Sequence, residues 1–298
     1  MQQFVQQVVA GLAEGSIFAS LALALVLIYK ATEVINFAQG EMAMFTTYIC
    51  WALLGHGAAW HWWAFFATLA IAFAGGVAIQ LVVIRPLQRA SVLTVVMATI
   101  ALLVILNGLA TWIWRPELKF FPSPFPFTSW KIGGVLIAKS DVYTFLVVLA
   151  CVSVLWGFFR FTKLGLAMRA GALNPSAARL LGVRTGWLLA LGWGFAAALG
   201  AVSGMMVAPN ISVSAGLQPS MMQAVLVYAF AAAVLGGLES PVGAVVGGLA
   251  LGVGLNLLGA YVNFVKPELH LPFALAVLLV VLLVRPAGLL GKVTVRRV

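Results

Sequence analysis

The chain has 298 residues, of which 63% are hydrophobic and only 8% charged, and its mean hydropathy is +1.11. A soluble domain carries about a quarter charged residues, so there are too few polar groups here to cover a water-facing surface, and soluble enzymes are excluded. The net charge of +10 does not mark a nucleic-acid binder, because the cations lie in short loops between apolar runs and not on one polar domain.

Apolar runs of about 20 residues cross a hydrocarbon core about 30 Å thick, and in lipid they must be helical to satisfy their own backbone. The alternating segments of a membrane β-barrel do not occur. The fold class is therefore all-α, a polytopic helical membrane protein. Spans are predicted near 7–29, 34–54, 62–84, 91–114, 142–159, 187–208, 219–236, 241–263 and 270–285. That is nine transmembrane helices, within a range of 8–10, because the second, seventh and last are short or interrupted.

In chain order, Met1–Gln7 is uncharged and the following run is of full spanning length, so no cleavable signal peptide is expected. Glu14 falls about 10 Å along the first span from Gln7. Two readings fit it: a carboxylate facing a water-filled path, where it attracts an ammonium group, or one solvated near the outer interface. The polar stretch Val34-Ile-Asn-Phe-Ala-Gln-Gly-Glu41 then interrupts the apolar sequence. Carboxylates near hydrocarbon need partners, water or an interface. Glu41 suits the positive end of the helix it opens, and Asn36 suits a capping role. The stretch is either a gate on a transport path or a turn reversing the chain. His56, His61 and His270 fall on one side without the ligand set of a metal site, and Cys50 and Cys151 read as small packing residues.

The segment 115–141 is Pro- and Phe-rich, and Thr128–Ala138 reads as a hairpin turning at Gly133-Gly134. The basic segment 160–186 contains Asn174-Pro175, an N-cap followed by proline at the first helical position, opening a short helix over Ser176–Leu181 that Gly182 ends. It is a docking element or an ordinary surface helix. Small residues repeat every four positions at Gly11/Gly15, Gly192/Ala196/Gly200/Gly204, Gly243/Gly247 and Gly248/Gly252, which suits close helix packing. A second interruption, Leu235-Gly-Gly-Leu-Glu-Ser-Pro-Val-Gly243, carries Glu239. It reads as a gate element or as a simple turn. No phosphate-binding loop occurs, and no nucleophile, base and orienter can be assembled. ATP, if used, is hydrolysed by another chain.

Twelve of the seventeen cations (Lys30, Arg85, Arg89, Arg160, Lys163, Arg169, Arg179, Arg184, Arg285, Lys292, Arg296 and Arg297) fall on one side of this layout. Arg115, Lys119, Lys131, Lys139 and Lys266 fall on the other. The richer side is the cytoplasmic one, which places the C-terminus in the cytoplasm and, for nine spans, the N-terminus outside.

Taken in order, these motifs resemble the permease subunits of high-affinity branched-chain amino-acid ABC importers of the LivH type, almost end to end. The resemblance is carried by Gly11–Ala19, Val34–Glu41, Ile84-Arg-Pro-Leu87, Leu164–Ala170, Asn174–Gly182, Val234–Ala244 and Arg285–Gly291. It implies one permease domain over 1–298, with 115–141 periplasmic and 160–186 as the cytoplasmic coupling loop. It implies import of branched-chain or other neutral amino acids, with urea, short-chain amides or aromatic acids as the alternative cargo. It also implies four partner elements: a second permease chain (LivM type, or a second copy), two cytoplasmic ATPase subunits, a periplasmic binding protein and the bilayer of the cell inner membrane. No cofactor is expected on this chain; ATP and magnesium belong to the ATPase subunits.

Read from the two polar breaks and the first span, Asn36, Gln39, Glu41, Glu14 and Glu239 are the candidate path or gate residues; the resemblance adds the coupling loop. Gly165, Arg169, Asn174, Pro175, Ala178, Leu181 and Gly182 are the candidate ATPase-coupling residues. Two positions depart from the pattern. Gln39 stands where the family commonly has His, so no titrating imidazole is needed there. Glu239 stands where the turn usually has Gly. From another class, an ion-driven secondary transporter would use Glu14 and Glu41 for coupling. A membrane-embedded enzyme would need a polar catalytic cluster, which the sequence lacks.

Overall fold

The computed structural model describes residues 1–291 except 56–58, 89, 116, 118, 183, 215, 263–268 and 286. His56, Arg89, Lys266, Lys292, Arg296 and Arg297 lie outside the described residues. In order, the elements are α1 (Gln2–Thr32), α2 (Gln39–Leu53), α3 (Trp62–Ile79), α4 (Arg85–Leu87), α5 (Val92–Trp114), β1 (Ser129–Ile132) and β2 (Val135–Ala138). There follow α6 (Lys139–Phe161), α7 (Lys163–Leu173), α8 (Pro175–Leu180), α9 (Thr185–Ser214), α10 (Gln223–Gly236), α11 (Pro241–Tyr261) and α12 (His270–Val284).

The fold is all-α, as the apolar runs require. Among the described residues, six helical runs are long and apolar enough to cross a membrane: α1, α3 continuing into α4, α5, α6, α9 and α11. The other three predicted spans are shorter helices, α2 with 15 residues, α10 with 14 and α12 with 15. At 1.5 Å per residue each is about 22 Å long, short of a full hydrocarbon core. Helix α1 outruns its apolar stretch at the N-terminal end because the glutamines before Val8 are good helix formers.

Helices α3 and α4 are one rod with a single wide turn, Gln80–Ile84, in which Arg85 N bonds Gln80 O. Pro86 explains the widening. It offers no N–H, and its ring crowds the carbonyl four residues back, so the chain accommodates it by a π turn.

The chain divides into two compact units. The first comprises Met1–Val26, Phe125–Val148 and Ala224–Val298. Within it α1 lies against α11 through the glycine pairs the sequence shows. A Cβ on Gly11 would sit 2.6 Å from Val253 Cα, and one on Gly15 3.0 Å from Leu249 Cα. With no hydrophobic force between helices in lipid, such backbone-to-backbone approach is what associates them. The β1–β2 hairpin pairs Ser129 with Ala138 and Ile132 with Val135. Its turn residues Gly133 and Gly134 both have left-handed φ, 57° and 85°, the conformation a two-residue hairpin turn demands. Gln2 Nε2 donates to Gly133 O at 3.4 Å, so the start of α1 lies beside the hairpin tip.

The second unit comprises Leu27–Pro124 and Leu149–Gln223. Here α9 packs on α3 and α2, and α2 also meets α5. Gly76 of α3 lies against Trp193 and Ala197 of α9, and Gly204 of α9 lies against Thr47 and Ala43 of α2. The fully buried Trp193, Tyr48, Met44 and Met205 fill the space between. The segment after α5 caps this unit: Trp51 Nε1 donates to Phe120 O at 2.9 Å, and Phe121 is fully buried. Cys50 and Cys151 are free thiols.

Candidate functional site

Helix α1 ends at Glu33, whose φ of +56° is left-handed, a conformation costing a residue with a Cβ about 1–2 kcal/mol. The chain then runs non-helically through Val34–Ala38 before α2 begins at Gln39. The sequence reading placed this helix from 34. Asn36 explains the difference, since its Oδ1 accepts from Ala38 N at 3.1 Å, a local bond that competes with helix. Asn36 Nδ2 donates to Gln39 Oε1 at 3.2 Å, and Gln39 Nε2 donates to Ala196 O of α9 at 2.8 Å. Asn36, Gln39 and Glu41 are 1%, 0% and 3% exposed.

This stretch lies at mid-depth of a membrane-spanning helix. Phe37 N donates to Thr99 Oγ1 of α5 at 3.4 Å, and Asn107 Nδ2 of α5 donates to Glu41 Oε2 at 3.2 Å. Thr99 and Asn107 stand well inside α5, which runs Val92–Trp114, each about 10 Å from an end. An ionised carboxylate at such a depth costs about 2.5–3.5 kcal/mol on insertion scales. A hydrogen bond to a charged group returns about 1.5–3 kcal/mol, so the Asn107 amide offsets much of that cost. The four-residue repeat of α9 completes the wall, because Gly200 comes within reach of the Gln39 amide and Ala43. Three polar groups of the motif are thus drawn together and held by α5 and α9.

Glu14 and Glu239 belong to the other unit. Among positions 7–29 of α1, Glu14 alone is exposed. Asn256 Nδ2 of α11 donates to its Oε2 at 2.6 Å. Glu239 is exposed on the turn between α10 and α11. That turn is tightly built: Ser240 Oγ accepts from Gly243 N at 3.0 Å, and Gly237 has φ +105°. The C-terminal motif clasps it, with Leu289 N donating to Leu235 O at 2.8 Å and Leu290 N to Gly236 O at 3.1 Å.

The basic segment holds two helices, of which the sequence reading found one. Thr162 caps α7 by accepting from Gly165 N at 2.9 Å, and Asn174 caps α8 by accepting from Ala177 N at 3.0 Å. Gly165 is buried where α7 folds back on α6, since a Cβ there would lie 2.6 Å from Phe159 Cα. Ala178 is also buried, whereas Arg169, Leu181 and Gly182 are exposed. Gly182 takes φ +79° to end the turn, and Pro175 is the first residue of α8. Leu180 and Leu181 are 89% and 83% exposed. Gly165 and Ala178 therefore shape the segment from within, and Arg169, Asn174, Leu181 and Gly182 lie at its surface.

Thr99, Asn107 and Asn256 were missed by the sequence reading. Their only signal is a polar residue inside an apolar span, which in a membrane faces a partner or a cavity by default.

A bundle of membrane-length apolar helices packed through small residues marks a polytopic helical membrane protein. The chain belongs to the family described as branched-chain amino acid transport system / permease component, whose profile matches residues 7–282. It is 31% identical over 319 residues to the high-affinity branched-chain amino acid transport system permease protein LivH of Salmonella typhimurium, covering 99% of this chain and 98% of that one. It is 30% identical over 311 residues to the corresponding permease protein BraD of Pseudomonas aeruginosa, with the same coverage. A solved structure, PsaBC from Streptococcus pneumoniae in complex with Fab, aligns at TM-score 0.46 and 13% identity over 96% of this chain and 93% of that one. This chain is accordingly a transport permease of the membrane and not an enzyme.

Proposed function

We propose that this chain forms half of the translocation channel of an ABC importer for branched-chain or other neutral amino acids in the cell inner membrane. A periplasmic binding protein delivers the cargo, and two cytoplasmic ATPase subunits supply the energy. The second half is a related permease chain of the LivM type or a second copy. No cofactor is assigned to this chain; ATP and magnesium act on the ATPase subunits. Near-full-length similarity to permeases named for branched-chain amino acids supports the cargo class.

The observation that carries a path role is the burial of Asn36, Gln39 and Glu41 at mid-depth of α5, with Asn36 bonded to Gln39 and Asn107 to Glu41. Short helices that begin inside a membrane with polar termini are a common means of building a substrate path. Glu14, in the other compact unit, is a separate candidate carboxylate. It lies about 18 Å along α1 from Gln2, too deep for an exposed acid to face lipid without cost. Glu239 is assigned to the turn between α10 and α11 that it occupies.

The Asn174-capped helix α8 is the ATPase-coupling element. Two exposed leucines beside exposed Arg179 and Arg184 make a surface with an apolar centre and a basic rim, the anatomy of a protein contact. The same reading puts the C-terminus and residues 160–186 in the cytoplasm and residues 115–141 outside. The bond from Gln2 to the hairpin supports an N-terminus on the outer side.

The experiment is uptake into liposomes holding the complete complex. Uptake of a branched-chain amino acid that needs internal ATP and the loaded binding protein is expected. Uptake driven by an ion gradient alone overturns the proposal. The cargo is settled by which ligand of the cognate binding protein stimulates ATP hydrolysis by the complex.

A further inference from the structure

The segment between α9 and α10 is not a free connection. Leu217 N donates to Lys119 O at 2.8 Å, making an antiparallel bridge to the chain after α5. Tyr48 of α2 donates its hydroxyl to Leu217 O at 3.3 Å. Two residues on, Pro219 O accepts from Asn107 Nδ2 at 3.4 Å, and that same amide nitrogen donates to Glu41 Oε2 at 3.2 Å. Leu217, Met221 and Met222 are buried, so the segment is packed as well as bonded. All of these residues lie in one compact unit.

An amide nitrogen carries two hydrogens. Asn107 spends one on a backbone carbonyl of this strap and the other on the Glu41 carboxylate, so neither can shift without disturbing the bond to the other. Lys119 at the far end sits just after α5. Its Nζ donates to Arg115 O at 3.0 Å and to Glu117 O at 3.3 Å, which ties Lys119 back to the end of α5.

We propose that Asn107 is a positioning residue, and that the strap Gly216–Met222 transmits the state of the cap segment Lys119–Pro124 to Glu41 through it. A binding protein docking on the outer segments would then change the setting of the α2 carboxylate at mid-membrane by moving one bonded strap. This rests on the proposed path role of Glu41. A chain of contacts is not by itself coupling, and only a cycle of substitutions measures it.

The test uses the complete complex in liposomes, reading the ratio of ATP hydrolysis with loaded binding protein to hydrolysis without it. Asn107→Ala is expected to lower this ratio at least fivefold, and Tyr48→Phe, which removes a second pin without changing volume, about two- to fivefold. Because Asn107 acts through Glu41, Asn107→Ala placed on Glu41→Gln should add less than a further twofold. Full additivity of the two substitutions, or a wild-type ratio in Asn107→Ala, overturns the inference. If Asn107→Ala fails to assemble, Tyr48→Phe decides, and a wild-type ratio there overturns it. Should Glu41→Gln itself leave transport unchanged, the path reading falls with it. If Glu41→Gln fails to transport while Asn107→Ala behaves as wild type, the positioning role alone is lost.

Discussion

Two polar breaks in this chain look alike on paper and are built differently. Val34–Glu41 and Leu235–Gly243 each insert glycine, a carboxylate and other polar residues between apolar runs. In the first, the side chains point inward: Asn36, Gln39 and Glu41 are buried and their partners are on α5 and α9. In the second, the backbone does the work. Gly236 lies against Gly243, Gly247 against Ala232, and the C-terminal motif bonds the turn from outside, while Glu239 stays exposed. On the proposed path reading, a polar interruption in a membrane protein separates into a functional or a structural element by where its carboxylate goes, and composition does not reveal that.

Several substitutions press on this contrast. The largest effect is expected where α11 packs on α10 behind the turn. Gly247→Leu would drive a side chain into the α10 carbonyl of Ala232, and overpacking of this kind costs about 1–3 kcal/mol or more; loss of the assembled complex on size-exclusion chromatography checks it. Next comes Gln39→Leu, which removes the bond to Ala196 O and takes the Gln39 Oε1 acceptor away from the buried Asn36 amide. A buried polar group left without its partner costs about 1–3 kcal/mol, so melting of the purified complex should shift downward and uptake should fall several-fold. A smaller effect is expected at the coupling helix. Asn174→Ala removes the α8 cap, worth about 1 kcal/mol, and should weaken ATPase co-purification without altering membrane insertion. Smallest of all, Glu239→Gly should leave uptake within about twofold. A large loss there would erase the distinction between the two breaks.

Much of this was legible beforehand. Runs of apolar residues located the helices, and the three flagged as short or interrupted are the shorter ones, α2, α10 and α12. Asn174-Pro175 announced α8, and Gly133-Gly134 announced the hairpin turn. The start of α2 was misplaced by five residues, because Val34–Ala38 is apolar enough to read as helix while Asn36 bonds its own backbone instead. Helix α7 escaped notice because it is short and mixed in polarity, although Thr162 three residues before Gly165 is a cap signal. The partners of Glu41 and Glu14 were beyond sequence reasoning for a plain reason. Asn107 is 66 positions from Glu41, and Asn256 is 242 from Glu14, and no periodicity links residues so far apart.

The central claim is that the first break shapes the substrate path and the second only turns the chain. Its most direct test is ATP-dependent uptake of a branched-chain amino acid by liposomes containing matched amounts of complex, comparing Glu41→Gln with Glu239→Gln. The account predicts at least a tenfold loss for Glu41→Gln and uptake within about twofold of wild type for Glu239→Gln. Equal effects of the two substitutions, or unimpaired uptake by Glu41→Gln, would contradict it.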